Sequence, residues 1–183
     1  MRLFTGLDVP YQMRRNLELL LQLLKPKARI HWSPLANLHV TTKFIGEWPE
    51  ERLEELKAAL GAVPVPGPLK IAIRGVGWFP NPHHPRVLYV AVQAGPELEA
   101  LARATEAACA GLGIEAENRP FRPHLTLARI REPHPLLGLK QAIAQLANDD
   151  FGGWTADAFH LYQSQLRTGG SVYTKMASYS FSK

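Results

Sequence analysis

The chain has 183 residues, with 21 Lys and Arg against 16 Asp and Glu, a formal charge of +5 and a pI near 9.5. This length suits one domain, or two small lobes that share an interface, and the positive balance favours anionic over cationic partners. The single cysteine, Cys109, excludes an intramolecular disulfide framework and is expected to be a small buried hydrophobe. No secretory signal is visible, and no apolar run approaches the ~20 residues of a membrane span. We therefore expect a cytoplasmic protein that does not enter membranes.

Apolar periodicity and turn residues predict alternating strands and helices. In chain order, strands are expected at residues 2–8, 28–32, 38–45, 69–79, 87–92, 124–130, 158–166 and 172–181. Four helices are expected to begin near prolines, which the first helical turn tolerates: Pro10, Pro49, Pro96 and Pro135. The sequence Thr168-Gly169-Gly170 is suited to a hairpin turn between the last two strands.

A short motif occurs twice, each time as a histidine, an apolar residue and a threonine. The first copy contains His39 and Thr41, and the second, 85 positions later, contains His124 and Thr126. Because side chains alternate along a strand, each copy places its imidazole and hydroxyl on one face and its apolar residue on the other. The two copies are expected to direct both histidines into one shared space.

The motif belongs to a weak internal repeat. Strand starts recur at an offset of 84, the motif histidines at 85, and the helix-opening prolines Pro10 and Pro96 at 86. A period of this length indicates duplication of a lobe rather than a solenoid. We predict an α+β fold in which two pseudo-symmetric lobes, roughly residues 1–85 and 86–183 with strand exchange between them left open, place antiparallel sheets around a central cleft. The helices are expected on the outside.

Three roles compete for two convergent histidines: metal ligation, nucleophilic catalysis and acid/base catalysis. A metal site normally recruits a third Cys, His, Asp or Glu nearby, and none flanks either motif, which disfavours a metal. An imidazole beside a hydroxyl suits a phosphoryl group, because threonine can donate to a nonbridging oxygen while histidine transfers a proton. With a reference pKa of ~6.5, two histidines can divide the acid and base roles near neutral pH.

Residues 37–46 and 119–129 resemble the two signatures of the two-histidine (2H) phosphoesterases. More narrowly, they resemble the RNA 2',3'-cyclic phosphodiesterases, or 2'-5' RNA ligase-like proteins, and further similarity lies at residues 2–4, 77–80, 85–89 and 161–164. The resemblance implies hydrolysis of an RNA 2',3'-cyclic phosphate end to a 2'-phosphate, with no metal or other cofactor, in a cleft between two lobes. Thr5 and Thr42 replace more apolar residues of the family pattern, and we expect neither to touch the chemistry.

Carried over by position, the resemblance makes His39 the proton donor to the departing 3'-oxygen. It makes His124 the base that activates water. Thr41 and Thr126 would then hold nonbridging phosphate oxygens.

A cation is needed to stabilise the phosphoryl charge, and Arg129 and Lys43 are the candidates. Under strict alternation Lys43 is in phase with His39 and Thr41 and points at the site. Arg129 is out of phase with His124, and could reach the cleft only if the strand twists or bulges. The family pattern favours an arginine here, so Arg129 ranks first by resemblance and Lys43 second by geometry.

Recognition of RNA beyond the phosphate is weakly encoded. Candidates for backbone contacts are the arginines around the second motif, Arg119, Arg122, Arg129 and Arg131, and candidates for base stacking are Phe121, Trp32 and Trp48. The remaining histidines are expected at the surface or its boundary, His83 and His84 in a solvated loop.

Two alternatives to hydrolysis stay open. One is 2'-5' RNA ligation, the reverse reaction, which microscopic reversibility permits in the same site. The other is a noncatalytic RNA- or nucleotide-binding module, against which the two intact motifs argue. The protein is expected to act as a monomer.

Overall fold

The computed structural model describes residues 1–183 and contains nine strands and four α-helices. In chain order these are β1 (Arg2–Asp8), α1 (Tyr11–Leu24), β2 (His31–Trp32), β3 (His39–Glu47), α2 (Leu53–Gly61), β4 (Leu69–Phe79), β5 (Val87–Ala94), α3 (Pro96–Ala110), β6 (His124–Arg129), α4 (Leu137–Ala144), β7 (Asp150–Ala156), β8 (Ala158–Arg167) and β9 (Gly170–Ser180). Short 3-10 helices follow α1 and precede β3 and α2, at Lys25–Lys27, Leu35–Asn37 and Glu50–Arg52.

The strands form two antiparallel sheets. The first has the order β3-β1-β8-β9 and the second the order β2-β6-β5-β4-β7. The motif strands β3 and β6 come from different sheets, and their Cα atoms approach within 8 Å of one another. Each sheet contains strands from both sides of residue 85. The predicted α+β class, with two antiparallel sheets around a cleft, is confirmed.

The helices tie the two sheets together. Helix α1 follows β1 of the first sheet but packs against β7 of the second, whereas α3 follows β5 of the second sheet and packs against β3 of the first. Each of these helices therefore covers the sheet to which its preceding strand does not belong. None of the four α-helices has the length and apolarity that crossing a membrane requires.

Strand β7 was not predicted from the sequence. Its two adjacent glycines, Gly152 and Gly153, are typical of a loop, because glycine weakens a strand interior. The strand forms by pairing with β4, where a Cβ added to Gly153 would lie 2.5 Å from the carbonyl oxygen of Ile71. The glycine is thus required for the close approach of the two backbones.

The interior consists of two apolar clusters. The larger contains 26 buried residues, most of them from α1, α3, α4 and both sheets, and the smaller contains six: Leu3, Trp48, Leu56, Leu60, Cys109 and Leu161. Each fully buried leucine contributes about 1.5–3 kcal/mol of transfer free energy. Cys109 is fully buried, as predicted, and burial raises the pKa of its thiol to about 11.

Two buried threonines pair behind the first motif. The hydroxyls of Thr5 on β1 and Thr42 on β3 lie 2.7 Å apart, and both side chains are shielded from solvent. These are the two positions that depart from the apolar family pattern. Each hydroxyl supplies the only side-chain hydrogen-bond partner of the other, so the two departures compensate each other.

We expect Thr5→Val alone to destabilise the fold by about 1–3 kcal/mol, because it leaves the Thr42 hydroxyl buried without a partner. Thr42→Val should cost a similar amount for the same reason. The double variant should cost much less than the sum of the two, which urea unfolding of all four proteins would measure as a coupling energy. Additive costs would contradict the pairing.

Candidate active site

The two motif histidines are held by the same hydrogen bond. Nδ1 of His39 lies 2.7 Å from the carbonyl oxygen of Asn37, and Nδ1 of His124 lies 2.7 Å from the carbonyl oxygen of Arg122. A carbonyl can only accept, so Nδ1 carries the hydrogen in both rings. Each histidine therefore keeps Nε2 as the atom that takes or gives a proton.

Aromatic rings orient His39. Its ring centroid lies 4.6 Å from that of Phe4 and 5.2 Å from that of Tyr173, which it meets edge-on. Phe4 is itself stacked on Tyr162, with centroids 5.0 Å apart. The Nε2 atom of His39 lies 2.7 Å from the hydroxyl oxygen of Thr41, so imidazole and hydroxyl share one face of β3, as alternation predicts.

A second aromatic pair orients His124. Phe79 and Tyr89 stack with centroids 4.0 Å apart, and the His124 ring meets them edge-on at 4.9 and 5.5 Å. A Cβ at Gly77 would lie 2.3 Å from the Tyr89 hydroxyl, so this glycine leaves room for the tyrosine ring. Thr126 lies half-buried two residues along β6 and makes no side-chain hydrogen bond within the protein.

Both motif strands contain an extra residue directly after the motif threonine. In the pairing of β3 with β1 the extra residue is Thr42, and in the pairing of β6 with β5 it is Leu127. The two positions are 85 residues apart, like the motif histidines. A β-bulge reverses the alternation of the residues that follow it. The cleft-facing residue is therefore the third after each threonine rather than the second.

This bulge brings Arg129 to the cleft. Arg129 is the third residue after Thr126, and its positive charge lowers the pKa of His39, of His124 and of Tyr173. These effects reach side chains of both sheets, as expected of a guanidinium on the cleft side of β6. The equivalent position of β3 is Phe44, whose ring packs 6.1 Å from that of Phe4.

The corresponding bulge in β3, at Thr42, turns Lys43 away from the cleft, so the prediction that it points at the site beside His39 and Thr41 is wrong. The Lys43 side chain is only 1% exposed, and its Nζ lies 2.9 Å from both Oε1 of Glu106 and the carbonyl oxygen of Glu115. Strict alternation failed because it assumes a regular ladder. Lys43 instead ties β3 to helix α3.

Burial is the largest cause of the pKa shift of each motif histidine, and it lowers both values. The hydrogen bond to the backbone carbonyl opposes this in each case. For His39 the nearby positive charges of His124 and Arg129 lower the pKa further, while the carboxylate of Asp8 raises it. No carboxylate acts on His124. The two histidines therefore share a geometry but differ in their electrostatic surroundings.

Sequence reasoning missed the polar side chains around Asp8. Its carboxylate accepts hydrogen bonds from the hydroxyl of Tyr162 and from Nζ of Lys175, and it lies 3.7 Å from Nε2 of His160. Asp8 pairs with His39 across the β1–β3 ladder. Alternation along β1 places Asp8 on the same face as Phe4. The local sequence does not show that β8 pairs with β1 and β9 with β8, so the partners that these strands supply to Asp8 could not be predicted.

The candidate RNA contacts divide between surface and interior. Arg119, Arg122 and Arg131 are exposed, as are His83 and His84 in their loop. Trp48 is a core residue whose indole donates to the carbonyl of Arg52, which does not fit the proposed base stacking. Trp32 and Phe121 are half-buried. Nowhere in the chain do three His, Cys, Asp or Glu side chains converge as metal ligands would.

We expect Glu106→Gln to destabilise the protein by about 3 kcal/mol, because it leaves the buried Lys43 ammonium without its carboxylate. Lys43→Met should cost less, since it removes the buried charge itself. The control is Glu99→Gln on the same helix, whose exposed ion pair with Arg103 is worth under about 1 kcal/mol. Urea unfolding would measure all three. If Lys43→Met left stability unchanged and weakened substrate binding, Lys43 would be a substrate-binding residue and not a structural one.

Histidine titration by NMR should give midpoints below the usual ~6.5 for both His39 and His124. Arg129→Gln should raise both pKa values, because it removes a positive charge that disfavours protonation, whereas Asp8→Asn should lower that of His39 alone. Arg131→Gln, which removes an exposed charge two residues along, is the matched control. If Arg129→Gln moves neither midpoint, the guanidinium does not face the cleft.

The chain is similar to known proteins over most of its length. The sequence profile of the 2'-5' RNA ligase superfamily matches residues 15–168. Two RNA 2',3'-cyclic phosphodiesterases, from Archaeoglobus fulgidus and Thermus thermophilus, are 32% and 34% identical to the chain, with 94% and 98% of this chain and 96% and 90% of theirs aligned. The crystal structure of a Thermus thermophilus protein superimposes with a TM-score of 0.82 at 32% identity, over 99% of this chain and 98% of that one.

The predicted family and class of enzyme are confirmed by these relatives. The fold class is confirmed independently by the superposition. The chain belongs to the 2'-5' RNA ligase superfamily of two-histidine phosphoesterases.

Proposed function

We propose that the protein hydrolyses RNA ends that carry a 2',3'-cyclic phosphate and leaves 2'-phosphate ends, without a metal ion. The observation that carries this proposal is the matched pair of imidazoles, each held through Nδ1 and each presenting Nε2. The name that the relatives share, RNA 2',3'-cyclic phosphodiesterase, supports the substrate class.

The proposed reaction needs one acid and one base. Nε2 of neutral His124 takes a proton from water, the water oxygen bonds to phosphorus, and the bond from phosphorus to the 3'-oxygen breaks. Nε2 of protonated His39 gives its proton to that oxygen, which leaves a 3'-hydroxyl and a 2'-phosphate. Burial and the charges of His124 and Arg129 keep the pKa of His39 below its usual value, and the Asp8 carboxylate opposes them in part. No carboxylate does the same for His124, and this difference supports the assignment of the acid role to His39.

The phosphate oxygens are proposed to bind Thr41, Thr126 and Arg129. The Thr126 hydroxyl has no partner within the protein, and Arg129 supplies the positive charge that the pentavalent phosphorus requires. The Thr41 hydroxyl lies against Nε2 of His39, so it must exchange that contact for a phosphate oxygen when substrate enters. Lys43 takes no part, because its charge is already matched by Glu106.

We expect His39→Ala and His124→Ala each to reduce turnover of an oligonucleotide with a 2',3'-cyclic phosphate end by about 10²- to 10⁴-fold. Both variants should keep the circular dichroism spectrum and unfolding midpoint of a folded protein. The control is His83→Ala, in an exposed loop, which should keep full activity. The assay contains a chelator, and phosphorus NMR identifies the product.

A 2'-phosphate product in the presence of chelator supports the proposed hydrolysis. A joined 2'-5' strand would instead identify ligation as the activity. Loss of turnover on chelation would contradict metal independence, and an active His39→Ala or His124→Ala variant would contradict the two-histidine mechanism. Absence of turnover by the unaltered protein would favour a noncatalytic binding module.

A further inference from the structure

A cavity of about 160 Å³ opens beside His39. It lies between the first turn of α1, the 3-10 helix before β3, and strands β8 and β9. Six polar or charged side chains besides His39 line it or reach its wall: Asp8, Arg14, Asn37, Tyr162, Tyr173 and Lys175. At ~30 Å³ per liquid water molecule this is the volume of about five waters, enough for the five heavy atoms of a phosphate group.

The charges that line this cavity do not cancel. Asp8 is matched by Lys175, whose Nζ donates to its carboxylate, and its remaining contacts are to Tyr162 and His160. Arg14 forms no ion pair and no side-chain hydrogen bond anywhere in the structure, and its Nε is buried without a partner. One positive charge of the cavity, that of Arg14, is therefore left without an anion.

A guanidinium is well suited to bind an anion in such a place. Its planar fork of N–H donors matches two oxygens of a phosphate at once. The Arg14 guanidinium lines the cavity, and no carboxylate of the protein neutralises it. An oxyanion in the cavity would supply the missing negative charge and accept hydrogen bonds from the guanidinium.

The second half of the repeat has no such cation. Helices α1 and α3 begin at Tyr11 and Pro96, 85 residues apart like the motif histidines, and the fourth residue is Arg14 in the first helix and Glu99 in the second. The anion site therefore distinguishes the His39 side of the cleft from the His124 side. An asymmetric substrate would therefore bind preferentially in one orientation.

We propose that Arg14 forms a subsite for the 5'-phosphate of the nucleotide whose 2',3'-cyclic phosphate is opened. This inference rests on the proposed function, in which His39 protonates the 3'-oxygen of that nucleotide. The 5'-phosphate belongs to the same ribose, so it lies one sugar ring away from the atom that His39 contacts. In an RNA chain this group is the phosphodiester that joins the last two nucleotides. The subsite therefore favours RNA ends over free nucleoside 2',3'-cyclic phosphates.

The test compares two substrates, cytidine 2',3'-cyclic phosphate with and without a 5'-phosphate. The unaltered protein should have the larger kcat/KM for the 5'-phosphorylated substrate. Arg14→Gln should lower that preference about tenfold, mainly through KM, because it removes a charge-assisted contact. Arg15→Gln, which alters an exposed arginine next in sequence that pairs with Glu18 at 3.7 Å, should retain the preference. Arg14→Lys, which keeps the charge and loses the fork, should give an intermediate value.

An equal loss on both substrates, or an unchanged preference, would overturn the subsite. Thermal unfolding checks that each variant is folded. If Arg14→Gln does not fold, the substrate preference of Arg14→Lys is compared with that of the unaltered protein instead. Calorimetry with cytidine 5'-phosphate and cytidine separates this inference from the proposed function. If neither cyclic substrate is turned over but Arg14→Gln alone weakens binding of the 5'-phosphate, the subsite stands and the hydrolysis does not.

Discussion

One hydrogen bond, from a histidine Nδ1 to the backbone carbonyl two residues earlier, determines what each half of this molecule presents to the cleft. A backbone carbonyl does not titrate, so the bond persists whether the ring is neutral or protonated. It fixes the ring orientation and confines protonation changes to Nε2. Since the bond forms twice, at Asn37 and at Arg122, both imidazoles keep Nε2 as the nitrogen that can exchange a proton, as the proposed reaction requires.

Much of this arrangement could be predicted from the sequence. Alternation along a strand correctly placed His39 beside Thr41, and the strict two-residue period failed immediately afterwards. The extra residue in each motif strand arises from pairing with β1 and β5, and nothing in the local sequence of β3 marks it. For this reason geometry favoured Lys43, whereas resemblance favoured Arg129, because a family pattern already incorporates the effect of the bulge. Strand β7 was missed for a related reason, since only its pairing with β4 makes its glycines suitable.

The two motif histidines differ in their surroundings because of contacts that are distant in sequence. Strand β8 pairs with β1 and β9 pairs with β8, and these two strands bring Tyr162, Tyr173 and Lys175 to the His39 side. Asp8 and Arg14 complete the set from the start of the chain. The second motif has stacked aromatic rings of its own but no equivalent of the Asp8 carboxylate or of the partly buried Arg14. Two similar histidines thus acquire different charged neighbours, which is what separate acid and base roles require.

The sharpest test of acid/base catalysis by His39 and His124 is the pH dependence of kcat/KM for a 2',3'-cyclic phosphate end, measured with chelator present. Because one histidine must be protonated and the other deprotonated, we expect a bell-shaped profile with two ionisations. The apparent values belong to the coupled pair rather than to either ring. A rate that stays flat between about pH 5 and 8, or that follows a single ionisation, would contradict acid/base catalysis by two imidazoles.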